Sequence, residues 1–202
     1  MTMNDETASS PRAAASSAQQ KEELCSLAAT SAPACGGLFV EVSLTTPQAW
    51  PLSSERLAAI VSRAARAAWQ KAKALSVPEG AEERPVSLHV LLADDETIRP
   101  LNAAWRGKDT PTNVLSFPAP PVPVPPGEPM QLGEIVLSGE VIAREAEDAG
   151  VPLEDQLAWM VVHGTLHILG YDHENAKDRA QMQALESAIM KHLGYDDPHA
   201  EA

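Results

Sequence analysis

From Leu38 onward, apolar and polar positions fall into short blocks of two different periods. Residues 38–44, Leu-Phe-Val-Glu-Val-Ser-Leu, alternate closely enough to predict a strand, because successive side chains of an extended chain point to opposite faces. Ser53 or Ser54 can cap a helix, which the 3.6-residue spacing of Leu57, Ile60, Val61, Ala64, Ala68 and Leu75 carries to Leu75. Residues 86–93 read as a second strand. Asp94 or Asp95 opens a short helix to about Trp105, and residues 114–117 and 132–137 are further short strands. Ser138 caps a helix over about 140–149. A helix beginning near Pro152 carries Leu153, Leu157, Trp159, Met160, Val161, Leu166 and Ile168 and stops at Gly170; a last one, with Met182, Leu185, Ile189 and Leu193, stops at Gly194. Strands and helices interleave without the regular alternation of a doubly wound fold. The expected class is therefore α+β, a small mixed sheet of about four strands packed with about five helices.

The segments outside this pattern set the domain limits. Fifteen of residues 1–37 are Ala or Ser, with no sustained period, and this stretch is predicted to be a disordered tail. Asp5 and Glu6 stand where a signal peptide is basic, and four acids against two bases do not suit a transit peptide. Seven prolines within residues 118–129 exclude a helix or an internal strand, so 118–130 is expected to be an extended loop within one domain spanning 38–195. Residues 196–202 read as an acidic C-terminal tail. No run of about 18 apolar residues is present, which argues against a membrane-spanning helix. Cys25 and Cys35 form no C-x-x-C pair and are read as reduced thiols in a cytoplasmic chain.

The strongest chemistry lies in residues 163–173, His-Gly-Thr-Leu-His-Ile-Leu-Gly-Tyr-Asp-His. His163 and His167 are four apart on a predicted helix, which puts both imidazoles on one face. Gly170 lets the chain leave the helix and reverse, so that His173 can return as a third nitrogen ligand. Three histidines with an open fourth position suit a catalytic zinc, one per chain, although nickel or copper would also bind. The spacing matches that of the metzincin proteases except at one position: Gly164 stands where they carry the Glu that serves as general base. His89, His192 and His199 are read as ordinary surface or packing residues. Asp172 and Glu174 are candidates for a proton acceptor or for a hydrogen-bond partner of a ligand imidazole.

A second segment, residues 105–118, is polar and turn-rich and ends in a strand. Arg106 offers a two-pronged fork and Lys108 a point charge for phosphate oxygens. Asn113 and Ser116 can either contact RNA or fix the loop. Phe117 and Tyr171 are read as core residues before base-stacking ones.

Taken together, the two segments resemble the YbeY family of endoribonucleases, the rRNA maturation factors. The family motif H-G-x-L-H-L-x-G-Y-D-H is matched with Ile168 for the second Leu. R-G-K-D-x-P-T-N-V-L-S-F-P is present in full over residues 106–118, and Leu132-Gly133-Glu134-Ile135 is similar to the family's L-G-D-I. The resemblance implies a zinc-dependent endoribonuclease selective for single strands. It also implies action on ribosomal RNA, including the 3′ end of the small-subunit RNA, and a part in ribosome quality control, with the ribosome or small-subunit proteins as partners. By motif position His163, His167 and His173 are the metal ligands and Arg106 matches the family's functionally important arginine, the catalytic candidate; Lys108, Asn113 and Ser116 are candidate RNA contacts on their own chemistry. The competing readings are a zinc peptidase without its usual base and a non-catalytic ribosome-assembly factor with a structural metal.

The charge of −13 first argues against RNA. Yet residues 54–75 carry five bases against Glu55, and residues 99–112 carry three against Asp109. Both segments are expected to flank the metal on one basic face.

Overall fold

The computed structural model describes residues 25–29 (backbone only), 37–72, 84–120, 122, 123, 125 and 128–200. Strands β1 (Cys25–Ala29), β2 (Leu38–Leu44), β3 (Val86–Ala93), β4 (Val114–Pro118) and β5 (Met130–Ser138) form one sheet in the order β1-β2-β3-β5-β4. The three central strands are parallel, and both edge strands run antiparallel to their neighbours. Helices α1 (Ser54–Lys71), α2 (Asp95–Arg106), α3 (Gly139–Ala149), α4 (Leu153–Ile168) and α5 (Ala176–Leu193) complete an α+β domain.

Burial follows the two-residue period. Val86, Leu88, Val90 and Leu92 of β3 are fully buried in one core with Val40 and Val42 of β2, Leu57 and Val61 of α1, and Leu157 and Val161 of α4. On the opposite face Ala93, Ile98, Leu115 and Val136 form a smaller cluster under α2. Helix α4 is apolar nearly all round because it is enclosed by α1, α3, α5, β4 and β5. Its histidines therefore emerge from an element held on several sides. No helix among the described residues is long and apolar enough to cross a membrane.

The caps are legible in the sequence. Ser53, Asp94, Ser138 and Asn175 each accept a backbone N–H in the first turn of α1, α2, α3 and α5. Three expectations need correction. Part of the expected tail is a fifth strand: β1 pairs with β2 from Cys25↔Leu44 to Ala29↔Glu41, while residues 1–24 and 30–36 lie outside the described residues. Helix α1 spans Ser54–Lys71 and Ala72 is already extended, so the helix ends short of the expected limit; residues 73–75 lie outside the described residues. The acidic stretch 196–200 folds back on the helices. There the Asp196 N–H donates to Asp155, and Asp197 accepts from Ser187 at 2.7 Å. The proline-rich stretch lies between β4 and β5.

Candidate metal centre

The site is built at the C-terminal end of α4. One helical turn separates His163 from His167, and their Nε2 atoms face each other at 3.1 Å. Gly170 leaves the helix at φ 86°, a conformation open to glycine at little cost, and the Tyr171 N–H closes the turn onto the Leu166 carbonyl at 3.0 Å. Tyr171 is buried and anchors the reversal. His173 thereby returns to the helix face, its ring 5.1 Å from that of His167 and 5.7 Å from that of His163. One donor nitrogen from each lies within 4.8 Å of the others.

Two features suit these nitrogens to a cation. Nitrogens bound to one tetrahedral zinc lie roughly 3.3 Å apart, so the His163–His167 pair already has the right separation. Burial, and then the neighbouring His163 and His173, push the pKa of His167 down to about 4. Its imidazole is therefore neutral at ordinary pH, with a lone pair to give. The residues fit a metal ion held by His163, His167 and His173.

A group that sequence reasoning missed sets the orientation. Glu186 of α5 is 2% exposed, and its carboxylate accepts from His163 Nδ1 at 2.7 Å. Its other oxygen is hydrogen-bonded to His199 Nε2. Burial raises the pKa of this carboxyl, but the hydrogen bonds to His163 and His199 outweigh it and leave the pKa below the ordinary value. Holding Nδ1–H on His163 fixes the tautomer that would present Nε2 to a cation. His199, expected to be an ordinary residue, is thus part of this network, and its ring also packs edge-on against Trp159 at 5.6 Å. A signal for Glu186 did exist in the sequence. It stands in line with Met182, Ile189 and Met190, all buried, on the core-facing side of α5, where a charge needs a partner. Of the two sequence candidates for such a role, Asp172 accepts from the His173 backbone N–H at 2.6 Å, and Glu174 is exposed.

The imidazoles open into a cleft of about 460 Å³ whose far wall is the 106–116 segment. Arg106, the last residue of α2, lines it, and Gly107 turns the chain so that Lys108 lines it as well. Both cations are exposed. Asn113 lines the cleft but is committed to the fold. Its amide donates to both oxygens of Glu145 at 3.1 Å, and its oxygen accepts from the Val114 N–H at 2.7 Å. Ser116 faces the cleft from β4, and its hydroxyl lies close to α4. A Cβ at Gly164 would sit 3.1 Å from Ser116 Oγ and 3.1 Å from Ile135 Cγ2. The missing side chain is thus what lets α4 press against the sheet and bring the histidines to this wall. No carboxylate belongs to the lining among the described residues.

The expected basic face is only half present. Arg106 and Lys108 reach the cleft, but Arg99 is paired with Asp109 at 2.8 Å, and α1 contributes no residue to the lining. Arg56 of α1 is instead bonded to Glu154 at 2.7 Å, in the first turn of α4 and at the end opposite the histidines.

The family model described as Endoribonuclease YbeY matches residues 49–194. The chain belongs to the YbeY endoribonuclease family. A YbeY endoribonuclease from Paramagnetospirillum magneticum is 42% identical over 165 residues, covering 80% of this chain and 97% of the relative. One from Magnetococcus marinus is 46% identical over 123 residues, covering 57% and 84%; one from Rhodopseudomonas palustris is 42% identical over 160 residues, covering 78% and 88%. The match to the YbeY family takes in all of the cleft described above, and ends one residue after α5.

Proposed function

We propose that this chain is a metal-dependent endoribonuclease that cleaves single-stranded RNA in the cleft between α4 and the 106–116 segment. The observation that carries the reading is the make-up of that cleft: three converging imidazoles facing two exposed cations, with no carboxylate in the lining among the described residues. A phosphodiester is an anion and is attracted by such a wall. A peptidase of this spacing requires a carboxylate base, and Gly164 supplies none.

His163, His167 and His173 would hold the metal, and nitrogen-only donors at a neutral site suit zinc. When bound, the ion supplies Lewis acidity and lowers the pKa of a coordinated water. Arg106 grips two phosphate oxygens through its fork and stabilises the charge that builds on the five-coordinate phosphorus. Lys108 adds a second positive charge, and Ser116 offers a hydroxyl donor. Glu186 keeps the proton on His163 Nδ1 throughout, so that His163 presents a fixed lone pair. Asn113 holds the wall in place through Glu145 and the Val114 N–H.

The family resemblance extends the reading to ribosomal RNA processing, including the 3′ end of the small-subunit RNA, and to ribosome quality control. The testing experiment incubates purified protein with precursor small-subunit RNA and with matched single- and double-stranded oligonucleotides. Internal cleavage confined to unpaired strands, and reduced in Arg106→Ala protein with its metal retained, supports the reading. Equal cleavage of duplex RNA, or an undiminished Arg106→Ala rate, overturns it. Product ends report the nucleophile: a cyclic phosphate marks attack by the 2′-hydroxyl, and a 5′-phosphate with a free 3′-hydroxyl marks attack by water.

A further inference from the structure

Trp105 is out of place as a structural residue. Its side chain is 71% exposed; among the described residues only Val122 is a comparable exposed large apolar group. The other tryptophans behave as core residues. Trp50 is buried and donates its indole N–H to the Ala93 carbonyl at 3.2 Å, while Trp69 and Trp159 pack against the main core. An apolar ring of this size left in water forgoes the burial that stabilises most tryptophans.

Its position gives it a use. Trp105 directly precedes Arg106, which lines the cleft. Its ring meets that of Phe117 edge-on, with centroids 5.4 Å apart and planes inclined at 60°. Phe117 in turn follows Ser116, another cleft residue, and is packed against the Ile98, Leu115 and Val136 cluster. An anchored ring therefore braces an exposed one; Phe117 points to the face of β4 opposite Ser116, and Arg106, the residue after Trp105, is what links the pair to the cleft at the end of α2. Strand β4 forms the edge of the sheet, so nothing within the sheet lies beyond this pair.

We propose that Trp105 is a binding site for a nucleobase, stacking a base of the RNA strand next to the phosphate held by Arg106 and Lys108. The inference rests on the endoribonuclease reading of the cleft. Exposed aromatics interleaved with cations are the general chemistry of single-strand binding, because every base has a stacking face and every link carries a charge. The neighbouring positive charges favour a nucleic acid over an apolar protein partner. A base already stacked in a duplex has no face to offer, so the same ring contributes to selection for unpaired strands.

The test uses full-length, metal-loaded protein, Trp105→Ala and Trp105→Phe variants, and two substrates. One is a single-stranded oligoribonucleotide with a mapped cleavage site; the other is the same strand with abasic nucleotides flanking that site. Trp105→Ala raises KM about tenfold on the base-bearing strand, and Trp105→Phe recovers most of the loss. On the abasic strand the parent and Trp105→Ala protein have the same KM. Circular dichroism and bound metal match the parent in both variants. An equal loss on both strands, or no loss on either, overturns the proposal. Parent protein that cleaves neither strand overturns the endoribonuclease reading itself, and this proposal with it. Parent cleavage thus tests the reading, and the variant-to-parent ratio tests Trp105.

Discussion

Two histidine–glutamate pairs in this molecule look alike and do different things. On the sheet, His89 of β3 has Nδ1 3.0 Å from Glu134 of β5 and Nε2 2.9 Å from Ser43 of β2. On the helices, His163 has Nδ1 2.7 Å from Glu186, but its Nε2 faces another imidazole. In the first pair both ring nitrogens are already satisfied, and no lone pair is left over for a cation. In the second the carboxylate satisfies one nitrogen and aims the other at two more histidines. Glu134 holds a proton on His89, raising its pKa, whereas burial and neighbouring histidines drive His167 down to about 4. A histidine beside a carboxylate is therefore not enough to mark a metal centre. What marks one is the convergence of nitrogens with nothing else to bind.

The largest expected effect comes from breaking that convergence. His167→Ala should abolish stoichiometric metal binding and lower RNA cleavage at least about a hundredfold, while circular dichroism shows the domain folded. His89→Ala should retain the parent's metal content by elemental analysis, since His89 belongs to the other pair. Next in size is Arg106→Ala, with cleavage down about 10²–10³-fold and metal content unchanged, as for loss of a donor to the transition state. Glu186→Gln removes the charge but keeps the shape; zinc affinity measured by chelator competition should fall about 10–100-fold, as when outer partners of metal-bound histidines are lost.

The smallest effect belongs to the sheet pair and depends on pH. Hydrogen bonding to Glu134 raises the His89 pKa above its ordinary 6.5, and the same bond lowers that of Glu134 below 4.5. A raised histidine contributes stability that is complete below about pH 6.5 and is lost as the pH climbs through the folded value. A lowered carboxyl contributes stability present above about pH 4.5 and lost on further acidification. These describe one interaction, strongest between those limits. Both groups are partly exposed, so the ion pair is worth on the order of 0.5 kcal/mol. Urea denaturation should find His89→Ala costlier near pH 5.5 than near pH 8.5; an equal cost at both would remove the ion pair from the account.

Much of the fold was legible because it is local. Caps at Ser53, Asp94 and Ser138, and the stops at Gly170 and Gly194, are set by chemistry within a few residues, and so is the pairing of His163 with His167. The errors arise where distant partners decide. Strand β1 has little apolar patterning of its own and is specified by pairing with β2. Glu186 lies 23 residues from His163, and only the packing of α5 on α4 brings them together. The basicity of α1 was countable in the sequence, but that Arg56 binds Glu154 far from the cleft was not. Trp105 is read correctly only once it is known to stay exposed while Phe117 packs beneath α2.

On the proposed reading, RNA cleavage requires one metal ion held by His163, His167 and His173. The most direct test strips the protein with a chelator and measures cleavage of a single-stranded oligoribonucleotide as zinc is added back. Cleavage should be absent without metal, rise to a plateau at one zinc per chain, and not rise for His167→Ala protein carried through the same titration. Undiminished cleavage by the stripped protein, or a full response from His167→Ala, would contradict it.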